Sequence, residues 1–397
     1  MKDSLHRPKL SGITLGLVII LCVMYQAYFY EISIDQGLTG PSWQRSILKL
    51  SGLTIFYFSL AKVLSVQAFL RNLILKVPLI FFGVATIFAA PFLGPFEMQA
   101  VNMVFFLPLL AIDFDKFRDD YLFNRFFWVF SLILLVQILL DPILKAITGI
   151  YHVNIALIGG VGNANSFGYL LLCSAIYFLL CQKNTIIFYF LCFASFFTGS
   201  LVILFSAGLI FIFCFLNDIR NLKLLNFLLC AIAVVFLFYM VSALYPEDIE
   251  RIFRAVSHAI EKLLSLVLFF QDAQFESASI SVRKEYTLEG LRLIADNPWS
   301  LLIGHPEKTA LYTGDGWWLG LIVTHGLLWT MLFFVCNVVA FLRGVRLRTP
   351  EGRCASFVIL LTCFILLANR ILDYWPGAIV YIFVLAYVCN KKLEPLA

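Results

Sequence analysis

The sequence predicts an all-α integral membrane protein with about twelve transmembrane helices and one large segment outside the membrane. Three observations predict it. Of 397 residues, 61% are hydrophobic and only 13% are charged, whereas a soluble domain carries about a quarter charged residues. The mean hydropathy is +0.92, and the apolar residues run in blocks of about 20, the length that crosses a ~30 Å hydrocarbon core as a helix. Lysine and arginine, finally, collect in alternate connections between those blocks.

In order, the apolar runs predict helices near residues 10–30, 47–66, 73–90, 98–112, 122–140, 165–181, 185–199, 200–216, 222–243, 317–341, 354–372 and 374–389. The first follows Lys2, Arg7 and Lys9; its apolar region is too long for a cleaved signal peptide and "AYFYE" offers no small-x-small site, so it is read as a membrane helix. The fourth is short, with Pro91, Pro95 and Pro108 around it. The seventh and eighth are divided only by Thr198-Gly199-Ser200, which leaves the count open by one or two.

With the N-terminus inside, the inner segments hold Lys2, Arg7, Lys9, Arg71, Lys76, Lys116, Arg118, Arg125, Lys183, Arg220, Lys223, Arg343, Arg346, Arg348, Arg353, Lys391 and Lys392. The short outer loops hold only Arg45, Lys49, Lys145 and Arg370. This bias places both termini in the cytoplasm and residues 244–316 outside, in the periplasm of a Gram-negative host. The chain then divides into an N-terminal membrane domain (1–243, about nine helices), a periplasmic loop (244–316) and about three C-terminal membrane helices (317–397).

The loop opens with an amphipathic stretch in which Ile249, Ile252, Phe253, Val256, Ile260, Leu263, Leu264 and Val267 recur at helical spacing. Such a helix lies along the membrane surface with Arg251, Arg254, His258 and Lys262 toward water, or packs on the protein's own membrane domain; both readings stand. After the break at Ser277, Ser279 and Ser281, a second short helix begins near Lys284 and stops at Pro298, because the residue before a proline disfavours the helical region.

Several classes are excluded by composition. The net charge of +5 is dispersed among short loops rather than gathered in a patch, so no nucleic-acid partner is expected. Nine of the ten cysteines (22, 173, 181, 192, 214, 230, 336, 363 and 389) fall within apolar runs, with Cys354 at the edge of one. None has C-x-x-C spacing, so they read as small buried hydrophobes rather than disulfides or metal ligands. No metal or cofactor is expected.

Two classes remain, a transporter and an enzyme acting on lipid-linked substrates at one face. Coupled transporters place ionisable groups near the bilayer midplane. Here Lys62, Lys76 and Arg125 lie toward helix ends, where long side chains snorkel to the interface, and Gln137 is the nearest to a deep polar group. Polar groups cluster instead at the outer face, which favours the surface enzyme. One cluster is "GGVGNANSFG", residues 159–168. It lacks the third glycine and the strand of a dinucleotide fingerprint; Asn163 and Asn165 either bring a glycine-rich turn and helix start to phosphate oxygens or form a plain loop with a helix cap. The other is "RKEYTLEGLRLIADNPWSLLIGHPEKTALYTGDGWW", residues 283–318. Arg283 and Arg292 offer donor forks suited to diphosphate, and Asp315 can accept a proton from a hydroxyl nucleophile or stabilise a helix N-terminus. Trp299, Trp317 and Trp318 stack on sugars or anchor at the interface. His305 is a further candidate for binding substrate; His325 falls inside the tenth predicted helix, where a structural histidine is the commoner outcome.

In this order the segments resemble those of the O-antigen polymerase and ligase family of multi-spanning glycosyltransferases. "NANSFG" is similar to the family's asparagine-rich segment before a membrane helix, with Ala164 in place of its proline. "TGS" resembles its T-G-S-R turn, "R…LRLIADNPWSLLIGH" its arginine…I-x-x-N-P…G loop, and "DGWWLGLIVTHGLLW" the segment that enters the next helix. The resemblance spans residues 159–329; the first 150 residues match only in hydropathy. It implies a GT-C-like frame, no metal, and sugar taken from undecaprenyl diphosphate at the outer face. Leu201 stands where the family often has arginine, and Asp315 where ligases carry histidine. The second departure points to a polymerase of lipid-linked repeat units, with a ligase joining polysaccharide to lipid A core as the alternative, and a lipid-linked sugar flippase after that. Expected partners are undecaprenyl-diphosphate-linked oligosaccharides, membrane lipids and a chain-length regulator. Arg283 and Asp315 are then the catalytic candidates, and Arg292, His305, Asn163, Asn165 and Trp299 the substrate-binding ones.

Overall fold

The computed structural model describes residues 43–89, 97–117, 120–148, 164–218, 317–366 and 375–393, together with Leu15, Leu157, Leu288, Leu291, Arg292, Ala295, Leu302, Gly304, Asn369, Ile371 and Leu372. In chain order its α-helices are α1 (Trp43–Leu60), α2 (Val66–Leu70), α3 (Val77–Ala89), α4 (Tyr121–Thr148), α5 (Ala164–Leu180), α6 (Thr185–Phe196), α7 (Leu201–Asp218), α8 (Trp317–His325), α9 (Leu327–Arg346), α10 (Pro350–Leu366) and α11 (Trp375–Asn390). No strand occurs among the described residues. Two helices, Tyr121–Leu140 within α4 and all of α9, are long and apolar enough to cross a membrane; the apolar parts of five others are shorter. The helices expected near 10–30 and 222–243 lie outside the described residues, Leu15 excepted. Contacts gather the chain into two units that interleave along it: Met1–Ser65 with Ile112–Ser257, and Val66–Ala111 with His258–Ala397.

In the first unit, α1 stops at Leu60, earlier than the apolar run predicts, and the N–H groups of Val63 and Leu64 both turn back to the Leu60 carbonyl. The chain leaves this unit after Ser65 and returns at Ile112. An isolated antiparallel bridge between Leu64 and Ile112, with the Asp113 N–H donating to Val63 O at 2.9 Å, ties exit to entry. Helix α4 runs for 28 residues, past its predicted end. It pairs with α5 through rings: Phe127 stacks on Tyr177 at 5.2 Å and 18°, while Phe123, Phe126 and Phe130 are buried beside them. The Tyr177 hydroxyl donates to Asn124 O at 3.1 Å and receives the Gln182 amide at 2.6 Å. Gln137 is fully buried, as its position in the run predicts, and its amide atoms make no hydrogen bond among the described residues. Seven cysteines are described, none in a disulfide, and five of them are buried.

In the second unit the predicted fourth helix appears as a 3₁₀ helix, Glu97–Ala111, 15 residues long. Runs beyond three or four residues are uncommon in this geometry, and the burial pattern explains this one. From Met103 to Leu109 burial repeats every three residues, with Met103, Phe106 and Leu109 buried and Phe105 and Pro108 exposed, which matches three residues per turn; Leu110 in the last turn is buried as well. At about 2.0 Å per residue the segment extends roughly 30 Å, against about 22 Å as an α-helix. Gly83 of α3 brings the two helices into contact, since an ideal Cβ there would fall 2.6 Å from Leu107 Cδ1. The predicted helix 317–341 is divided at Gly326, whose φ of 88° and ψ of 161° interrupt the helical path between α8 and α9.

Lys76 corrects an expectation. It does not snorkel: the residue is 0% exposed. Its ammonium donates to Ala68 O at 2.8 Å, Phe69 O at 2.9 Å, Leu110 O at 3.1 Å and Asn390 Oδ1 at 2.6 Å. The Asn390 amide in turn donates to Leu110 O at 2.9 Å. One cation thus joins the end of α2, the last turn of the 3₁₀ helix and the last residue of α11. Arg71 and Asn72 donate to the carbonyls of Asn390 and Cys389, and Arg343 to those of Val388 and Lys391. Those are the carbonyls a helix leaves unpaired at its C-terminus, where cations also meet the negative end of the dipole. Lys76→Met retains volume but removes the ammonium that four oxygens share, Ala68 O and Leu110 O keeping a second donor in the Arg71 N–H and the Asn390 amide. It should lower unfolding stability by about 1–3 kcal/mol, measured as a lower melting temperature of the purified protein; an unchanged melt would assign the cluster no structural weight.

Candidate functional site

The polar stretch 283–318 is described at a few positions. Leu288, Leu291, Arg292 and Ala295 are helical, in agreement with a short helix beginning near Lys284. Their spacing of three, four and seven puts them on one face, and all are exposed, Leu288 by 47% and Leu291 by 50%. Arg292 is therefore exposed on the same face as Leu288, Leu291 and Ala295. Leu302 is helical and exposed. Gly304 has a φ of 73°, a region that residues with a Cβ rarely enter, which accounts for the glycine of that motif. Helix α8 starts at Trp317, two residues after Asp315. Asn163, Arg283, Trp299, His305 and Asp315 lie outside the described residues.

At the far end of α8, His325 is packed among rings. It stacks on Phe82 at 4.8 Å and 25° and meets the edge of Phe81 at 6.0 Å, while Phe81 stacks on Trp329 at 3.9 Å. This is a packing role. Among the described residues no group of His, Cys, Asp and Glu could hold a metal ion.

The other cluster is resolved in more detail, in the first unit. Asn165, near the start of α5, accepts a hydrogen bond on Oδ1 from the Ser200 hydroxyl. Ser200 precedes α7 and caps it: its Oγ receives the Ile203 N–H at 3.4 Å and its carbonyl the Leu204 N–H at 2.9 Å. One turn further along, Gly168 of α5 lies against Ile203 of α7, where an ideal Cβ would come within 2.7 Å of Cγ2 and 2.8 Å of Cγ1. The rungs 165–200 and 168–203 keep the same offset, so α5 and α7 run parallel from a common level. Gly199 makes the turn before α7 with a φ of 63°. The Leu157 N–H donates to Phe197 O at 2.8 Å, tying the chain ahead of α5 to the same turn.

Two segments 35 residues apart, the asparagine-rich one and the T-G-S turn, are therefore one structural junction. It brings two helix N-termini, the positive ends of two helix dipoles, together, and it leaves Asn165 Nδ2 as a donor. Sequence reasoning placed the asparagine-rich segment at the outer face but missed the pairing; the signal was that the alternation of predicted helices puts the T-G-S break on the same side. Arg292 belongs to the second unit and Asn165 to the first.

Comparison with protein-family models and with curated proteins finds no match to this chain. The resemblance therefore rests on the four short segments and their order.

The junction is open to a double-mutant cycle. Asn165→Ala and Ser200→Ala should each destabilise the protein, with a coupling of roughly 0.5–1.5 kcal/mol between them, and Gly168→Val should cost about 1–3 kcal/mol by overpacking. Chemical denaturation of the purified variants measures all three; strictly additive losses at 165 and 200 would remove the bond from the account.

Proposed function

We propose that the protein is a polymerase of undecaprenyl-diphosphate-linked oligosaccharide repeat units, embedded in the inner membrane by about twelve helices on a GT-C-like frame, with both termini cytoplasmic and residues 244–316 periplasmic. The observation that carries this reading is the junction of Asn165 with Ser200, because it unites two of the four motif segments at one level and so gives their order a structural meaning. The interior of α4 supports an enzyme over a transporter: from Phe126 to Leu140 it carries no charged residue, and its buried polar groups are the neutral Ser131 and Gln137.

The chemistry follows from the residue types in the outer stretch. The growing chain on its lipid diphosphate is the donor, and a hydroxyl of a new lipid-linked unit is the acceptor. The acceptor oxygen attacks the anomeric carbon, the bond from that carbon to the diphosphate oxygen breaks, and the electron pair leaves with the diphosphate. Asp315 takes the hydroxyl proton. Arg283, with Arg292 beside it in sequence, neutralises the departing diphosphate, an effect typically worth a few kcal/mol per donor. The transfer is a single displacement with inversion and needs no metal. Ligase activity is the second reading; aspartate rather than histidine at 315 favours the polymerase.

The test separates the two catalytic roles. Asp315→Asn keeps most of the capping capacity of the side chain and removes the base, so protein level and melting should hold while polymer formation collapses. Arg283→Lys keeps charge but not the bidentate fork, and most polymerising activity should be lost. Chain-length analysis of polymer made by each variant reads both. An Asp315→Asn protein that still builds full-length chains would leave that residue a helix cap and move the base to His305; an active lysine variant would reduce Arg283 to general electrostatics.

A further inference from the structure

We infer that the basic end of the second unit binds the headgroup of an acidic phospholipid of the inner leaflet, with the acyl chain laid along α9. The inference rests on the membrane embedding proposed above. Helix α9 ends at Arg346; Arg348 follows in the turn and Arg353 lies in the second turn of α10, and all three are exposed. Their guanidinium groups make no hydrogen bond or ion pair among the described residues. The tail of α11 reaches the same end, because Arg343 Nη2 donates to Lys391 O at 2.9 Å and the hydroxyls of Thr349 and Tyr387 are 3.5 Å apart. Lys391 and Lys392 thus add to the positive field. Glu351 is the one acidic residue described at this end.

Arg71, Lys76 and Arg343 are cations too, but their donors go to the α11 carbonyls, the ends of the adjoining helices and Asn390. Arg346, Arg348 and Arg353 have no such structural role, so their positive charges remain available to a phosphate diester. What selects a lipid over a soluble polyanion is the surface beside them. Leu328, Met331, Val335, Val338, Leu342 and Val345 are all exposed. Their spacing of three and four residues makes one continuous apolar stripe. It runs about 25 Å up the helix at 1.5 Å per residue and ends at the arginines. A group of exposed cations at the end of a hydrocarbon-length apolar stripe fits an anionic amphiphile, and clustered cations at a membrane's cytoplasmic edge attract acidic lipids.

The test titrates the full-length protein in detergent micelles with dioleoyl phosphatidylglycerol, dioleoyl phosphatidylcholine or glycerol phosphate while following thermal unfolding. Phosphatidylglycerol should raise the melting temperature at concentrations where the choline lipid does not, and glycerol phosphate should have no effect. The triple variant Arg346→Gln, Arg348→Gln, Arg353→Gln should need roughly tenfold more phosphatidylglycerol or beyond, and the matching triple lysine variant should stay close to wild type. Equal shifts with both lipids, or a shift with glycerol phosphate, would overturn the inference. Should the glutamine variant fail to fold, native mass spectrometry of the wild-type protein decides alone, by whether it retains phosphatidylglycerol in preference to phosphatidylcholine. Alkaline carbonate extraction separates the two claims: a chain released into the soluble fraction contradicts the membrane reading itself, whereas a chain kept in the pellet without lipid preference contradicts only this site.

Discussion

A backbone carbonyl in apolar surroundings has to find a donor, and in a chain this hydrophobic few donors are at hand. The second unit is arranged around that constraint. Helix α11, buried along its described length, ends in carbonyls that no further turn can satisfy, and side chains from distant parts of the sequence converge on them. Arg71 and Asn72 come from one side, Arg343 from α9, and Lys76 reaches Asn390 while holding the 3₁₀ helix through Leu110. A lysine that costs much to bury is retained because its three protons serve four oxygens at the meeting point of three helices.

The first unit solves the same problem at helix starts. Ser200 caps α7 and in the same gesture holds Asn165 at the start of α5, while Gly168 allows the two helices to approach. Residues that a motif description treats as candidates for substrate contact therefore have an architectural role as well. The two roles are compatible: the bond occupies the oxygen of Asn165 and leaves its Nδ2 hydrogens, and parallel helix starts gather N–H groups on one side.

Much of the helical organisation was legible in the sequence because apolar run length and polar breaks determine it. The T-G-S break does separate α6 from α7, five of the seven described cysteines are buried, and Gln137 is buried. What was not legible depends on contacts between distant segments. Nothing in residues 97–111 alone distinguishes a period of three from one of 3.6, since nearly every residue is apolar; burial by neighbours decides it. Lys76 looked like a snorkelling side chain because its acceptors lie up to 314 residues away. Gly326 is one of many glycines, and only the turn it makes reveals the break. Of the candidate site, Arg292 and Asn165 were placed in the helices expected of them, whereas the link from Asn165 to Ser200 required three dimensions.

The most direct measurement of the central claim is the surface polysaccharide of a strain deleted for this chain, resolved on a gel. A repeat-unit polymerase predicts that the ladder of long chains vanishes while a single repeat unit remains attached to the core. Loss of every core-attached repeat would make the protein a ligase, and an unchanged ladder would contradict both.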